Sequence, residues 1–136
     1  MIRTLTVKTA RQGLHEITGQ VASVVADCAI GEGLCTIFIR HTSASLIIQE
    51  NADPSARHDL EQWLDRLVPV NDPEYTHTYE GEDDMPSHIK SVLTATTLSI
   101  PVTGNRLALG TWQGIYVWEH RIHASQRSLI LHLYAD

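Results

Sequence analysis

Cysteine, phenylalanine and methionine are scarce: two, one and two residues in a chain of 136. Cys28 and Cys35 stand seven positions apart around a Gly-Glu-Gly turn, with no CxxC between them. Two thiols so placed build neither a disulfide framework nor a thiolate metal cage, and they read as small buried apolar residues. Cations are also few, ten Lys and Arg against sixteen Asp and Glu, for a net charge of -6. That balance argues against nucleic acid, whose phosphates demand clustered cations, and against an anionic membrane surface. Long apolar runs are missing. Leu46-Ile47-Ile48 and Leu129-Ile130-Leu131 are far too short to cross a bilayer, and Met1-Ile2-Arg3 opens no secretory h-region, so a soluble, cytoplasmic protein is expected. GxGxxG, P-loop, HExxH and GxSxG motifs do not occur, which leaves dinucleotide, Walker-type, zincin and serine-hydrolase functions without their usual support.

What is present is ordinary globular composition, 43% hydrophobic and 19% charged, at the length of one domain over residues 1–136. Residues 2–9 alternate apolar and polar side chains, the period of a half-buried strand, and residues 14–18 extend a hairpin from it. Val21, Val24, Val25 and Cys28 follow helical spacing, with Thr18 as N-cap and Gly31 and Gly33 as the stop. Residues 34–40 and 45–50 read as strands. Asp53-Pro54 opens a second helix whose apolar stripe is Leu60, Trp63, Leu64 and Leu67. Residues 70–84 form a long loop, of the kind that in a small domain usually serves function, and 85–93 a short helix capped by Asp84. Strands follow at 96–102, 107–109, 113–119 and 127–134, the first two separated by the turn Thr103-Gly104-Asn105; the last strand is apolar enough to be central. Seven or eight strands with about three inserted helices, not regularly alternating, predict an α+β fold on antiparallel, β-sandwich-like sheets.

Eight histidines stand out in this acidic chain, because imidazole titrates near neutrality and ligates metals. Three polar clusters carry the chemistry. His41-Thr42-Ser43-Ala44-Ser45 places an imidazole and several hydroxyls at a strand end; the alternative is a turn whose hydroxyls cap backbone N–H groups. The run Glu80 to His88 offers four carboxylates and a histidine to a divalent cation, or is a solvated acidic loop in which Asp84, one helical turn before His88, orients that ring. His77 lies just before this run and is a further candidate, whereas His132, in an apolar strand, reads as a core or interface residue. Trp112-Gln113 and Trp118-Glu119-His120-Arg121 form the third cluster, in which Glu119 and His120 point to opposite faces of a strand; core packing is the competing role for both tryptophans.

Taken together, His41 to Leu46, Glu50 to Pro54, His77 to Gly81, Asp83 to Lys90, Ile100 to Val102, Leu109 to Ile115 and Glu119 to Arg121 closely resemble the YjbQ family, in order and over the chain from about residue 34 onward. The resemblance implies a small antiparallel α+β domain assembling as a homotrimer. It also implies a weak, secondary thiamine-phosphate synthase activity, joining hydroxymethylpyrimidine diphosphate to a thiazole phosphate with release of pyrophosphate. Carried onto this chain, the family's polar motif residues are His41, Ser43, Ser45, Glu50, His88, Gln113, Glu119 and His120. The expected site has His41, His88 and His120 around a divalent ion, zinc or magnesium, with one open position. His41, Ser43, Glu119 and Gln113 are the expected catalytic residues. Ser45, Lys90, Trp112 and Arg121 are expected to bind a phosphorylated metabolite, the cations through phosphate oxygens and Trp112 by stacking. Two rival functions share these residues: a metal- or phosphometabolite-binding trimer without chemistry, and a metal-dependent hydrolase.

Overall fold

The computed structural model describes all residues 1–136. Eight strands and three helices follow in the order β1 (Ile2–Thr9), β2 (Gly13–Glu16), α1 (Thr18–Cys28), β3 (Gly33–Ile39), β4 (Ala44–Glu50), α2 (Pro54–Leu67), α3 (Asp84–Leu93), β5 (Thr97–Thr103), β6 (Arg106–Leu107), β7 (Gln113–Glu119) and β8 (Ser125–Ala135). The strands form two antiparallel sheets, one of five strands in the order β1-β8-β3-β5-β6 and one of three in the order β2-β7-β4. The α+β sandwich with three inserted helices is therefore the architecture the sequence implies. No helix is long and apolar enough to cross a membrane.

Period-two patterning explains the main core. Cys35, Ile37 and Ile39 of β3, Leu129, Leu131 and Leu133 of β8, and Ile100 and Val102 of β5 all turn inward. They meet Leu46, Ile115 and Val117 of the small sheet and Val21 and Val25 of α1. The other face of the small sheet is also covered. Tyr116 and Trp118 pack with Leu14 of β2, Leu64 of α2 and Val68 in a second cluster. Strand β7 is thus buried on both faces, which is why Ile115-Tyr116-Val117-Trp118 reads as an unbroken apolar run.

Several local expectations change in three dimensions. Strand β2 does not extend a hairpin from β1 but crosses to the small sheet and pairs with β7, Leu14 opposite Trp118. Thr18 does not cap α1. Its hydroxyl accepts the Ile115 N–H and donates to Glu16, and the N-cap position falls to Ile17. Asp53 does cap α2, accepting the Ser55 N–H at 2.9 Å, with Pro54 behind it in the first turn. Only Leu64 of the α2 stripe is fully buried, Trp63 and Leu67 being about half exposed. The Thr103–Asn105 turn has positive φ at both Gly104 and Asn105, the type I′ geometry that matches strand twist. His132 is neither in the core nor covered: it lies with Leu34, Phe38 and Tyr134 on the outer face of the large sheet, which no other element of the chain overlies.

Candidate functional site: a groove between two histidines

The end of β3, the start of β4, the end of β7 and the start of β8 meet at one edge of the sandwich, and α3 docks against them. The chain leaves β3 at Ile39 and runs through Arg40-His41-Thr42-Ser43 before entering β4. Two shallow depressions flank this crossing. One, of about 570 Å³, is lined by Arg40, His41, Thr42, Ser43 and Thr96; the other, of about 550 Å³, by Thr42, His88, Ser91, Thr94 and Thr96. They adjoin at Thr42 and Thr96, with His41 lining one and His88 the other. The size of each suits a small metabolite.

At the α3 end two imidazoles converge on one carboxylate. The N-terminal turn of α3 buries Asp83 and Asp84, and Arg121 reaches across from beyond β7 to donate to both and to the Glu80 carbonyl. Arg121 thereby takes Oδ1 of Asp84 and leaves Oδ2 facing outward. Two rings converge on that oxygen, His77 Nε2 at 2.7 Å and His88 Nε2 at 3.1 Å, their centroids 5.4 Å apart. His88 Nδ1 lies 2.9 Å from the Thr42 carbonyl, which can only accept, so the ring proton sits on Nδ1. In the neutral ring Nε2 then presents a lone pair to a carboxylate oxygen. Two acceptors at 3.1 Å require a positive charge between or beside them, either a second proton on His88 or a metal ion. Burial pushes the Asp84 carboxyl up. The hydrogen bond from His77 and the charge of Arg121 outweigh it and hold the group below the usual carboxylate range. His77, Asp84 and His88 are the one set of three potential ligands in the chain whose donor atoms all lie within 4.8 Å of one another.

The triad expected from the sequence, His41, His88 and His120, does not converge in this way within the chain. Two of the rings have a nitrogen engaged elsewhere, and the remaining nitrogen of His120, Nδ1, is buried without a partner. His120 is buried, with Nε2 2.8 Å from the Ser45 hydroxyl and Trp118 tilted against it. Burial, with the charges of Lys90 and Arg127 adding to it, pushes its pKa down to about 3, so the ring is neutral. His41 accepts the Ser128 backbone N–H on Nε2 at 2.8 Å and has Arg127 against Nδ1. Of the three, His88 alone belongs to the close cluster, with His77 and Asp84. Asp84 does not cap α3, whose N-cap position is Asp83; it is the first residue of the helix, and its carboxylate is a potential ligand.

The remaining expected residues divide by access. Glu119 is fully buried and saturated, accepting from Thr9, from Nε and Nη2 of Arg127 and from the Arg121 N–H. Burial pushes its carboxyl up, but the Arg127 hydrogen bonds dominate and keep it ionised. Lys90 is buried against Asp65 at 2.6 Å, and Arg121 is committed to Asp83 and Asp84, so neither cation expected to hold phosphate is free in this chain. Ser45 is buried in its bond to His120, whereas the Ser43 hydroxyl borders the groove. Gln113 turns back to accept the Gly110 N–H, and Trp112 is 63% exposed. Arg127, a buried cation at the start of an apolar strand, was not among the expected residues. Its signal in the sequence was an arginine in register with Val7, where the inward face of β8 otherwise carries leucines.

Comparison with known proteins agrees with this frame. A family model described as UPF0047 protein YjbQ-like matches residues 3–136. The chain belongs to the YjbQ (UPF0047) family. Within it, the chain is 45% identical to the YjbQ protein of Escherichia coli O157:H7, with 98% of this chain and 97% of that protein covered. It is 49% identical to a UPF0047 protein of Synechocystis, covering 95% of this chain and 88% of that one. Among solved structures, a conserved hypothetical protein of Thermus thermophilus superposes with a TM-score of 0.87 at 32% identity, covering 97% and 99% of the two chains. A hypothetical protein of Aeropyrum pernix superposes with a TM-score of 0.90 at 26% identity, covering 100% and 99%. These names state membership and no activity.

Proposed function

We propose that this YjbQ-family chain is a metal-dependent enzyme acting on a phosphorylated small molecule. His77, Asp84 and His88 hold the ion, in place of the His41, His88 and His120 set expected from the sequence. The observation that carries the reading is the convergence of His77 Nε2 and His88 Nε2 on Asp84 Oδ2, with His88 Nδ1 tied to the Thr42 carbonyl. A ligating histidine whose far nitrogen donates to a backbone carbonyl is held in the right tautomer and rotamer, and the Arg121 bond to Asp84 does the same for the carboxylate. Two imidazoles and one carboxylate suit zinc or a similar first-row ion better than magnesium, which prefers an all-oxygen shell. When bound, the ion supplies Lewis-acid stabilisation of negative charge on a leaving phosphate or diphosphate.

The chain's own contribution is to position and to hold charge. The secondary thiamine-phosphate synthase reaction implied by the family resemblance serves as the working example. The carbon–oxygen bond to the diphosphate of hydroxymethylpyrimidine diphosphate breaks, its electron pair leaves with pyrophosphate, and the thiazole nitrogen bonds the freed carbon. Ser43 borders the groove and is available to donate to a departing oxygen. Glu119, buried and ion-paired, acts by fixing Arg127 and not as a base. Assembly as a homotrimer, also implied by the resemblance, would cover the open outer face of the large sheet.

The test is turnover of hydroxymethylpyrimidine diphosphate and thiazole phosphate by the zinc-loaded protein, read as pyrophosphate release. The reading expects release that falls at least about a hundredfold in His88→Ala or Asp84→Asn. Turnover unchanged in both variants would overturn it. The inaccessibility of Glu119 and Ser45 favours a second reading, a binding protein without chemistry. That reading predicts saturable metal uptake and no product.

A further inference from the structure

The opposite end of the groove carries the opposite imbalance. The Ser128 backbone N–H can only donate, so His41 Nε2 bears the lone pair and the proton of the neutral ring is on Nδ1. Nδ1 lies 3.3 Å from Nη1 of Arg127, donor against donor. The other arginine nitrogens are used, Nε and Nη2 by Glu119 and Nη2 also by the Ser43 carbonyl, but Nη1 meets nothing except His41. Whichever nitrogen of the neutral His41 ring holds the proton, two donors, the Ser128 N–H and Arg127 Nη1, face a ring with one lone pair to offer. Glu119 already meets the charge of this 6%-exposed guanidinium, so what remains is a surplus of N–H donors, which an anionic oxygen would satisfy.

Neighbouring groups point the same way. Arg40 is exposed in the groove and has no carboxylate partner. The hydroxyls of Thr42, Ser43 and Thr96 line it with no protein hydrogen bond of their own. Burial lowers the His41 pKa first, then the charge of Arg127, and Arg40 adds to it against the opposing Glu119. Cationic influence prevails locally in a chain whose net charge is -6.

We propose that the His41 end of the groove is an anion subsite that takes a phosphoryl group, through Arg40, the surplus N–H groups of His41 and Arg127, and the hydroxyls of Thr42, Ser43 and Thr96. This deepens the proposed function, on whose phosphorylated substrate it rests, and reassigns phosphate recognition from Lys90 and Arg121. A ligand with separated phosphoryl and metal-binding groups would span the groove across Thr42, from the anion end to the cation end. His41, expected to ligate metal, is in this assignment a hydrogen-bond donor to a phosphate oxygen.

The probe is inorganic phosphate, titrated at neutral pH into the full-length, chelator-treated protein and followed through the side-chain NMR signals of histidine. Saturable shifts of the His41 ring are expected, with affinity weakened about tenfold in Arg40→Gln and in His41→Phe, the loss of one charge-assisted contact. Arg40 is exposed, so its variant reports even if the His41 replacement fails to fold. Cobalt uptake, read by visible absorption, should be unchanged in Arg40→Gln, and His77→Ala should abolish cobalt uptake while leaving phosphate affinity intact. Cobalt binding without any phosphate effect at His41 would overturn the anion subsite alone. Phosphate binding at His41 without cobalt uptake would sustain it and remove the metal centre instead. Equal phosphate affinity in the parent and Arg40→Gln would also overturn it.

Discussion

A buried imidazole that stays neutral to about pH 3 links folding to pH in a definite sense. The unfolded chain protonates His120 near its ordinary value of 6.5, and the folded chain does not until about 3. Across that window the unfolded state binds more protons, so this group makes stability fall as pH is lowered from about 6.5 and restores it as pH rises. Histidine NMR should find one ring neutral at about pH 4.5, inside that window, assignable to His120 by its loss in His120→Gln. A His120 ring already protonated at that pH would contradict the burial argument. Glu119 makes the companion case. Replacing it with Gln leaves Arg127 buried without its countercharge and should cost about 3–5 kcal/mol in denaturant unfolding. A loss under about 1 kcal/mol would show that the pair is dispensable. At this scale the sequence is informative about which residues matter and silent about which nitrogen is free. Asp84 and His88 are legible because four residues on a helix share a face. His41 and His120 look equally available as letters at strand ends, and only the Ser128 N–H and the Ser45 hydroxyl show them to be occupied.

Elements were legible where one physical rule governs them. Helix α2 opens on Asp53-Pro54, and β7 spans Gln113–Glu119, because capping chemistry and apolar runs are local. Sheet membership is not local. Nothing in residues 13–16 says that they leave β1 for β7, and the packing of Leu14 against Leu64 and Trp118 decides it. The acidic run is similarly ambiguous until Arg121 arrives from 37 positions away to bury Asp83 and Asp84. That arginine latches the loop to the sandwich. Arg121→Ala should leave Asp83 with the Ile122 N–H alone and Asp84 with only its two histidines, speed amide hydrogen exchange across residues 77–84 and weaken metal binding about tenfold or more. Unchanged exchange would mean that the loop is held by something else. Tight sheet packing gives a second check: a Cβ added at Gly33 would run into the Tyr134 carbonyl, a clash with backbone in the neighbouring strand. Gly33→Ala should therefore destabilise by about 1–3 kcal/mol, and a neutral result would contradict the β3–β8 register at that end.

On the scale of the whole molecule, two layers of strands and α3 hold His41 and His88 on either side of Thr42, where an anion subsite and a metal site are proposed. The cation end is built by a loop and a helix, the anion end by a strand crossing, and Thr42 belongs to both. The fold class could be read from element order and patterning, but this polarity could not, because it depends on tautomers set by contacts between distant segments. The outer face of the large sheet, with Leu34, Phe38 and Tyr134 about 40–67% exposed, bears on the proposed trimer. Light scattering should give three times the chain mass, and Phe38→Lys should reduce it to one; a parent that is monomeric at all concentrations would end that proposal.

The central claim is a metal ion between His77, Asp84 and His88. Crystals grown with zinc and measured on both sides of the zinc absorption edge test it most directly. The account predicts a single strong anomalous peak at ligand distance, about 2.0–2.2 Å, from His77 Nε2, Asp84 Oδ2 and His88 Nε2, absent in His77→Ala. Anomalous density at His41 or His120 instead, or none beside Asp84 in crystals saturated with zinc, would contradict it.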